Sequence, residues 1–421
     1  MIKRDFYLDK LIKTRKNGDV KVITGIRRAG KSVLLFGLFK DYLLNEEKIE
    51  EKNIIAISLD KRKDFKFRDP IYLSDYIEKN VTSSKEFFYL FIDEIQMSIT
   101  TKDELGYNVT IYDMLNELKD IKNLDIYVTD SNSKMLSSDI LTEFRGRSTQ
   151  IHVFPLSFRE IYEHEGGERK LKLDEYMTYG GMPKLLEYTD ESDKKKYLAN
   201  LFNEVYLKDI IERNKIEKKD ILNSILDYLS SSVGSLTNPN TIANVLSNEK
   251  KEKISSELVS SYIDDAKDAF VISMAKRYDI KGKAYFKYPN KYYYVDPGLR
   301  NARLNFRQFD PGHIMENIIY VELLRRGYSA DVGVVEDRRN GTYITKEIDF
   351  VVNDGDKRAY IQSALKIDEE KKKDSELESL RLTGDFFKKV VIQNDIEHNF
   401  YDDMGFYHVS LFNFLLGENI F

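Results

Sequence analysis

The 421-residue chain has no cysteine and no tryptophan, and only seven prolines and five histidines. Without cysteine there can be no disulfide, thiolate zinc site or cysteine nucleophile. Five histidines supply little for a histidine-rich metal centre. No uninterrupted apolar run is long enough to cross a bilayer, and the opening MIKRDFYLDK is charged, unlike a signal peptide. These absences predict a cytoplasmic protein with no membrane partner. Positive charge is not in excess either: 66 Lys and Arg stand against 71 Asp and Glu, a net charge of -5. That balance argues against nonspecific coating of nucleic acid but leaves room for a local basic patch.

What is present reads as globular, with 42% hydrophobic and 33% charged residues. The length exceeds one ordinary core, so two to four domains are expected. The 28 tyrosines and 24 phenylalanines could reflect an AT-rich genome as easily as function.

Five strand-like runs occupy the first third: VKVIT (20–24), NIIAISL (53–59), FFYLFI (87–92), DIYVTD (125–130) and TQIHVF (149–154). Helical patterns such as TIYDMLNELKDI (110–121) lie between them. Near-continuous apolar strands alternating with helices predict a parallel sheet covered on both faces. A ligand should then lie at the carboxyl ends of the strands.

At the first of those ends stands TGIRRAGKS, in which Gly25, Gly30, Lys31 and Ser32 match G-x-x-x-x-G-K-[ST]. Phosphate binding of this kind needs backbone N–H groups turned into a concave loop, hence glycine at the strained positions. It also needs a lysine for the β/γ-phosphates, a hydroxyl for Mg²⁺, and a helix whose positive end faces the anion. The stretch Gly25, Ile26, Arg27, Arg28, Ala29, Gly30, Lys31, Ser32 and Val33 is therefore the expected ATP-binding segment. Arg27 and Arg28 would touch phosphate edges or neighbouring acids.

The third strand runs into Asp93-Glu94 within YLFIDEIQ. An acid there can hold Mg²⁺ together with Ser32, and Glu94 can polarise the attacking water. One intervening strand (53–59) is expected to separate the loop strand from this one, as in ATPases with an additional central strand and a catalytic glutamate. The fourth strand ends VTDSNSK, where Asn132 is the favoured γ-phosphate sensor and Thr129 and Ser131 are its rivals. A capped turn is the competing reading of that segment. Beyond it, FRGRS offers Arg145 and Arg147; an arginine there could reach a neighbouring subunit's γ-phosphate, or serve only a surface salt bridge.

Taken together, TGIRRAGKS, FIDEIQ, VTDSNSKML, RGRS…VFPLSFREI and YGGMP resemble the prokaryotic AAA-type ATPases that carry a DUF4143 domain. YLKDIIER, RYDIKGKAYF…KYYYVDPGLRNA, ENIIYVELLRRGY and EIDFVV extend that resemblance over essentially the whole chain. It implies an α/β P-loop NTPase core with an additional strand (1–160) and a helical lid (161–215). A winged-helix region (216–298) and an α/β restriction-endonuclease-like domain (299–421) should follow. Carried over by position, Gly25, Gly30, Lys31 and Ser32 form Walker A, Asp93 and Glu94 form Walker B, Ser131-Asn132 is the sensor segment, and Arg147 is the arginine finger. Relatives usually read T-G-S where this chain has Thr129-Asp130-Ser131, which places an extra carboxylate near the γ-phosphate.

In the winged-helix region NPNTIANVLSN (238–248) should be the first helix of a helix-turn-helix and ISSELVSSYIDDAKDAFVI (254–272) the second. KRYDIKGKAYFK would be a basic, aromatic hairpin for phosphates. Glu257, Asp264, Asp265 and Asp268 on the second helix oppose that use, so packing and DNA reading stay level. In the last third Glu316 and Asp349 sit where a metal nuclease keeps its acids, but the acid-x-lysine that should follow reads Gln362-Ser363-Ala364. Lys366 lies two residues further on. A degenerate nuclease fold used for binding is expected, with Glu316 and Asp349 bonded to backbone or to an arginine such as Arg325.

Three functions remain open. The first is an ATP- and Mg²⁺-dependent switch acting on a partner, with double-stranded DNA and a homo-oligomer as candidates. The second is an ATP-dependent DNA nuclease of a defence or mobile-element system. The third is a scaffold that holds nucleotide without turnover, a reading favoured by Asp130.

Overall fold

The computed structural model describes residues 2–81, 85–131, 147–287, 289–339, 342–366 and 377–421. The chain divides into two compact units, Met1–Phe154 and Pro155–Phe421.

The first unit is built on strands β1 (Val20–Thr24), β2 (Ile54–Ser58), β3 (Phe88–Asp93), β4 (Leu124–Thr129) and β5 (Ser148–His152). All five expected strands form, within two residues of their expected ends. They pair in parallel in the order β2-β3-β4-β1-β5. β1, β3 and β4 are buried along their whole length, the reason they read as near-continuous apolar runs; the charged exceptions, Lys21 of β1 and Asp125 of β4, pair with each other. Apolar clusters cover both faces: one gathers Leu73, Ile77 and Met114 against Leu90 and Ile126, the other Leu34, Phe39 and Leu43 against Tyr89 and Tyr127.

One expectation is corrected here. The strand that separates β1 from β3 in space is β4, whereas β2, which intervenes in sequence, forms the sheet edge. Sequence order is silent on spatial order because crossover connections can carry a strand past its neighbour.

Local signals explain the helix boundaries. Thr110 caps the helix Ile111–Leu118 with a reciprocal bond to Asp113, and Ser157 does the same with Glu160 for Phe158–Glu165. The helix after the glycine-rich loop begins at Lys31, with left-handed Gly30 before it, and contains a π-helical stretch, Leu34–Phe39.

In the second unit, helices Lys219–Ser231, Pro239–Lys250 and Ser256–Asp268 precede a two-stranded antiparallel pair, β6 (Ile272–Ala275) with β9 (Lys291–Tyr294). The lysine-rich hairpin between them, β7 (Arg277–Asp279) and β8 (Ala284–Tyr285), does not extend that pair. β7 instead pairs in parallel with β10 (Ser329–Arg339) and joins an eight-stranded sheet. That sheet continues through β11 (Thr342–Asp354), β12 (Lys357–Ala364), β13 (Lys388–Gln393), β14 (Phe400–Tyr401) and β15 (Tyr407–Ser410). Its order is β8-β7-β10-β11-β12-β13-β15-β14, with β10, β11 and β12 antiparallel and β12, β13 and β15 parallel. Helix Pro311–Arg325, capped by Asp310, feeds β10.

The YGGMP and VDPGLRN strings are explained by one interlock. Buried Asp296 accepts the Gly181 N–H at 2.6 Å and the Leu299 N–H at 3.2 Å. Asn301 donates to the carbonyls of Met177 and Thr178. A Cβ at Gly181 would lie 1.9 Å from the Leu156 carbonyl oxygen, and one at Gly298 would lie 1.9 Å from that of Tyr179. The two segments approach closer than any side chain allows.

Candidate functional site

The parallel register brings four strand ends to one edge. Ser58 lies beside Asp93, Ile92 beside Val128, and Ile23 beside Thr129. The loop Gly25–Gly30 leaves β1 at that edge.

Backbone demands account for the loop's glycines. Gly25 has φ +141°, and a Cβ there would lie 2.1 Å from the Val153 carbonyl oxygen. Gly30 has φ 97°, and between them Arg28 is held at φ 63°. Lys31 is buried and donates to the carbonyl oxygens of Gly25 at 2.8 Å and Ile26 at 3.1 Å. Burial lowers its pKa, while Glu94, Asp130 and Asp93 pull it back up. The extra carboxylate of Asp130 therefore acts on the loop lysine, and its backbone N–H donates to Ile23 at 2.9 Å.

Asp93 collects hydroxyls. Ser32 donates to its Oδ1 at 3.0 Å and Thr129 at 2.5 Å, while Ser58 reaches Oδ2 at 3.3 Å. Glu94, next in sequence, has left-handed backbone (φ 55°), and its N–H donates to Thr129 Oγ1 at 3.0 Å. Its carboxylate is gripped by Gln96. Ser131 accepts from Gln96 at 3.2 Å and from Arg27 at 3.2 Å, which ties the loop to the end of β4. A glycine cradle that any Cβ would fill, a buried ammonium, and a hydroxyl paired with a carboxylate together suit a nucleotide phosphate and a hard divalent cation.

Residues 17–162 match the family described as an AAA domain (AAA_14). An uncharacterized protein of Haemophilus influenzae is 35% identical over 397 residues, covering 93% of each chain. The chain belongs to this family of AAA-type P-loop ATPases. A second uncharacterized protein, MJ1544 of Methanocaldococcus jannaschii, is 28% identical over 430 residues, covering 94% of this chain and 88% of that one. The remainder of the resemblance is corrected in name: residues 170–310 match DUF8612, a domain of unknown function, and not DUF4143. Among solved structures, the Walker-type ATPase PABY2304 of Pyrococcus abyssi aligns with TM-score 0.48 at 16% identity, over 72% of this chain and 96% of that one. The Aeropyrum pernix ORC1 protein in complex with DNA aligns at 0.29 and 9%, over 72% of this chain and 92% of that one. Likenesses of that size carry no functional weight.

Within the AAA domain, the loop residues, Asp93 and Glu94 converge. Asn132 and Arg145 lie outside the described residues; of the sensor rivals, Thr129 and Ser131 both touch the Asp93-Glu94 pair. Arg147 stands apart. It precedes β5 at the amino end of the sheet, accepts from Val20 N at 3.3 Å, and faces Asp120 at 3.3 Å on the surface. Its own loop lies at the opposite end of β1.

Several residues at this edge escaped sequence reasoning. Arg4, which precedes the helix Asp5–Lys13, is buried and donates to the Ala29 and Phe154 carbonyls, both at 2.8 Å, and so ties the start of that helix to the loop. His152 contacts Thr24 at 3.2 Å; burial, with Lys31 and Lys10 nearby, pushes its pKa down to about 3. A lone arginine and a lone histidine carry no spacing signal. For Gln96 and Ser58 the available signal was adjacency, to Asp93-Glu94 and to a strand end respectively.

In the second unit the acids Glu316 and Asp349 are buried together, but their cation is not Arg325, which pairs with Glu322 at 2.6 Å. It is Lys291 of β9, whose Nζ lies 2.8 Å from Glu316, 2.7 Å from Glu347 and 3.7 Å from Asp349. Tyr293 donates to Glu316 at 2.6 Å, and the Ser363 N–H donates to Asp349 at 2.8 Å. Burial lowers the Lys291 pKa, yet Glu316, Asp349 and Glu347 outweigh it and hold the group above its ordinary value.

Proposed function

We propose that the chain is an ATP-binding and ATP-hydrolysing switch whose nucleotide state is passed to a partner. The observation that carries this is the convergence of Lys31, Ser32, Asp93 and Glu94 at the carboxyl edge of one parallel sheet. In this reading the backbone of Gly25 to Val33 cradles ATP phosphates and Lys31 holds their charge. Ser32 and Asp93 hold Mg²⁺, which when bound neutralises charge developing on the transferred phosphoryl. Glu94 orients the attacking water, kept in place by Gln96. Thr129, bonded to the Asp93 carboxylate and to the Glu94 backbone N–H, positions both residues, and Asn132 senses the γ-phosphate. Arg147 faces away from its own loop, a placement that suits a finger offered to a neighbouring subunit in a homo-oligomer.

For the partner we favour double-stranded DNA. Three helices followed by an antiparallel pair support a winged helix within 216–298, and the helix, three antiparallel strands and parallel crossover that follow support a nuclease-like fold. Cleavage is not part of the reading: Ala364 occupies the lysine position and Lys291 already neutralises the acids. The test is ATP turnover by wild type and Glu94→Gln, each with and without a DNA duplex, beside binding of a fluorescent ATP analogue to Lys31→Ala. Turnover lost in Glu94→Gln with binding kept, and binding lost in Lys31→Ala, is the expected pattern. Wild-type affinity in Lys31→Ala would sink the reading.

A further inference from the structure

The segment after β2 concentrates positive charge that the nucleotide site does not use. Residues Lys61 to Arg68 read KRKDFKFR, five cations and one acid, in a chain of net charge -5. Arg62–Arg68 forms a 3-10 helix. With three residues per turn, positions three apart stack on one face. One face carries Asp64 and Phe67, and both are buried. Asp64 is spent on the Ser58 N–H at 3.1 Å, so the only acid in the run points inward. The second face carries Arg62, Phe65 and Arg68, and the third Lys63 and Lys66.

These two faces are turned to solvent. Lys61, Arg62, Lys63 and Lys66 are exposed, and among the described residues none of them has a carboxylate partner. The acids that flank the run in sequence are engaged: Asp60 accepts from Ser58 at 2.8 Å, and Asp69 caps the next helix through Ile71 N at 2.9 Å. Asp75 and Glu78 belong to that next helix. Phe65 is 45% exposed, and the Arg68 guanidinium lies 3.9 Å from its ring centre, so the ring is backed by a cation while nearly half of the residue stays open to solvent. Tyr72 and Tyr76, also exposed, continue the aromatic surface beside Phe67.

We infer that this basic, aromatic face binds a single strand of nucleic acid, with Lys61, Arg62, Lys63 and Lys66 on phosphates and Phe65 under a base. Lysines and arginines interleaved with a presented ring suit a polyanion whose planar groups are unpaired. An anionic lipid surface, or a peptide of Asp and Glu alone, would use the charges but offer no aromatic ring to stack on Phe65. The contact stands without the nucleotide reading; only its consequence rests on it. That consequence follows from Ser58, which joins the two sites: its backbone N–H is held by Asp64 of the basic segment, and its hydroxyl bonds Asp60 and Asp93. A strand seated on Lys61 and Arg62 therefore acts three or four residues from Ser58, which touches Asp93.

The test is fluorescence anisotropy of a labelled 20-nucleotide oligo-dT and of a duplex of equal length, titrated over several salt concentrations with the full chain. In the variant Lys61→Ala/Arg62→Ala/Lys63→Ala/Lys66→Ala the slope of log affinity against log salt should fall by about 3, from about 0.7 for each single-strand phosphate released. Phe65→Ala should weaken oligo-dT about 5-fold or more and the duplex little. Circular dichroism melts confirm that both variants fold. Unchanged affinity and slope in the fourfold variant overturn the inference. So does a wild type that binds vesicles of anionic lipid but no oligonucleotide. In either case intact binding of the ATP analogue would leave the nucleotide reading standing. For the coupling, Asp60→Ala, which leaves every hydroxyl on Asp93 in place, should keep oligo-dT binding and basal ATP turnover but lose the strand's effect on turnover; an effect kept in full removes the relay.

Discussion

The Ser32 hydroxyl and the Asp93 carboxylate meet at 3.0 Å, although 61 residues separate them in the chain. One comes from the first turn after the glycine loop, the other from the end of β3. If they serve one cation, their effects cannot add. Ser32→Ala and Asp93→Asn should each weaken Mg²⁺-dependent binding of the ATP analogue, and the double variant should be little worse than the weaker single one. Strict additivity in such a cycle would separate the two residues functionally.

Arg147 is removed from its own loop by the length of β1, about 16 Å at 3.3 Å per residue. Arg147→Ala should therefore bind the analogue normally and fail in turnover, as should Glu94→Gln. Mixing the two inactive proteins should restore part of the activity, because an intact Glu94 then meets an intact Arg147 across subunits. A mixture as inactive as its components would leave Arg147 to its salt bridge with Asp120.

Lys291 is 3% exposed and sits among three carboxylates. Removing the cation leaves buried negative charge uncompensated, which costs about 3–5 kcal/mol. Lys291→Met should lower the urea midpoint of the second unit accordingly, and adding Glu316→Gln should recover part of the loss. A change below about 1 kcal/mol would show that the acids take up protons instead.

Asp296 gives a pH signature. Burial lifts its carboxyl from 3.8 to about 6, against the N–H groups of Gly181, Leu299 and Gly298 that pull it down. The folded state then holds the proton more tightly than the unfolded state. Its contribution to stability is full at low pH and is lost as pH rises from about 4 to 6. The stability of wild type relative to Asp296→Asn should fall by up to about 3 kcal/mol across that window. A difference independent of pH would mean that Asp296 stays charged throughout.

Periodicity and spacing by themselves determined the strands of the first unit, their burial, the loop Gly25 to Ser32 and the Asp93-Glu94 pair. These are local properties: a run such as FYLFID is apolar because both its faces are covered, and the loop needs glycine where its own backbone turns. What only the tertiary structure decided is which distant groups share a space. β4 lies between β1 and β3, Arg4 reaches up to Ala29, and the hairpin at Arg277 joins the larger sheet because its edge pairs with β10. Lys291, not Arg325, neutralises Glu316, because β9 carries its side chain into a cluster that no spacing along the chain announces. Strand order and long-range ion pairs depend on how layers close over one another, and one sequence pattern is compatible with several closures.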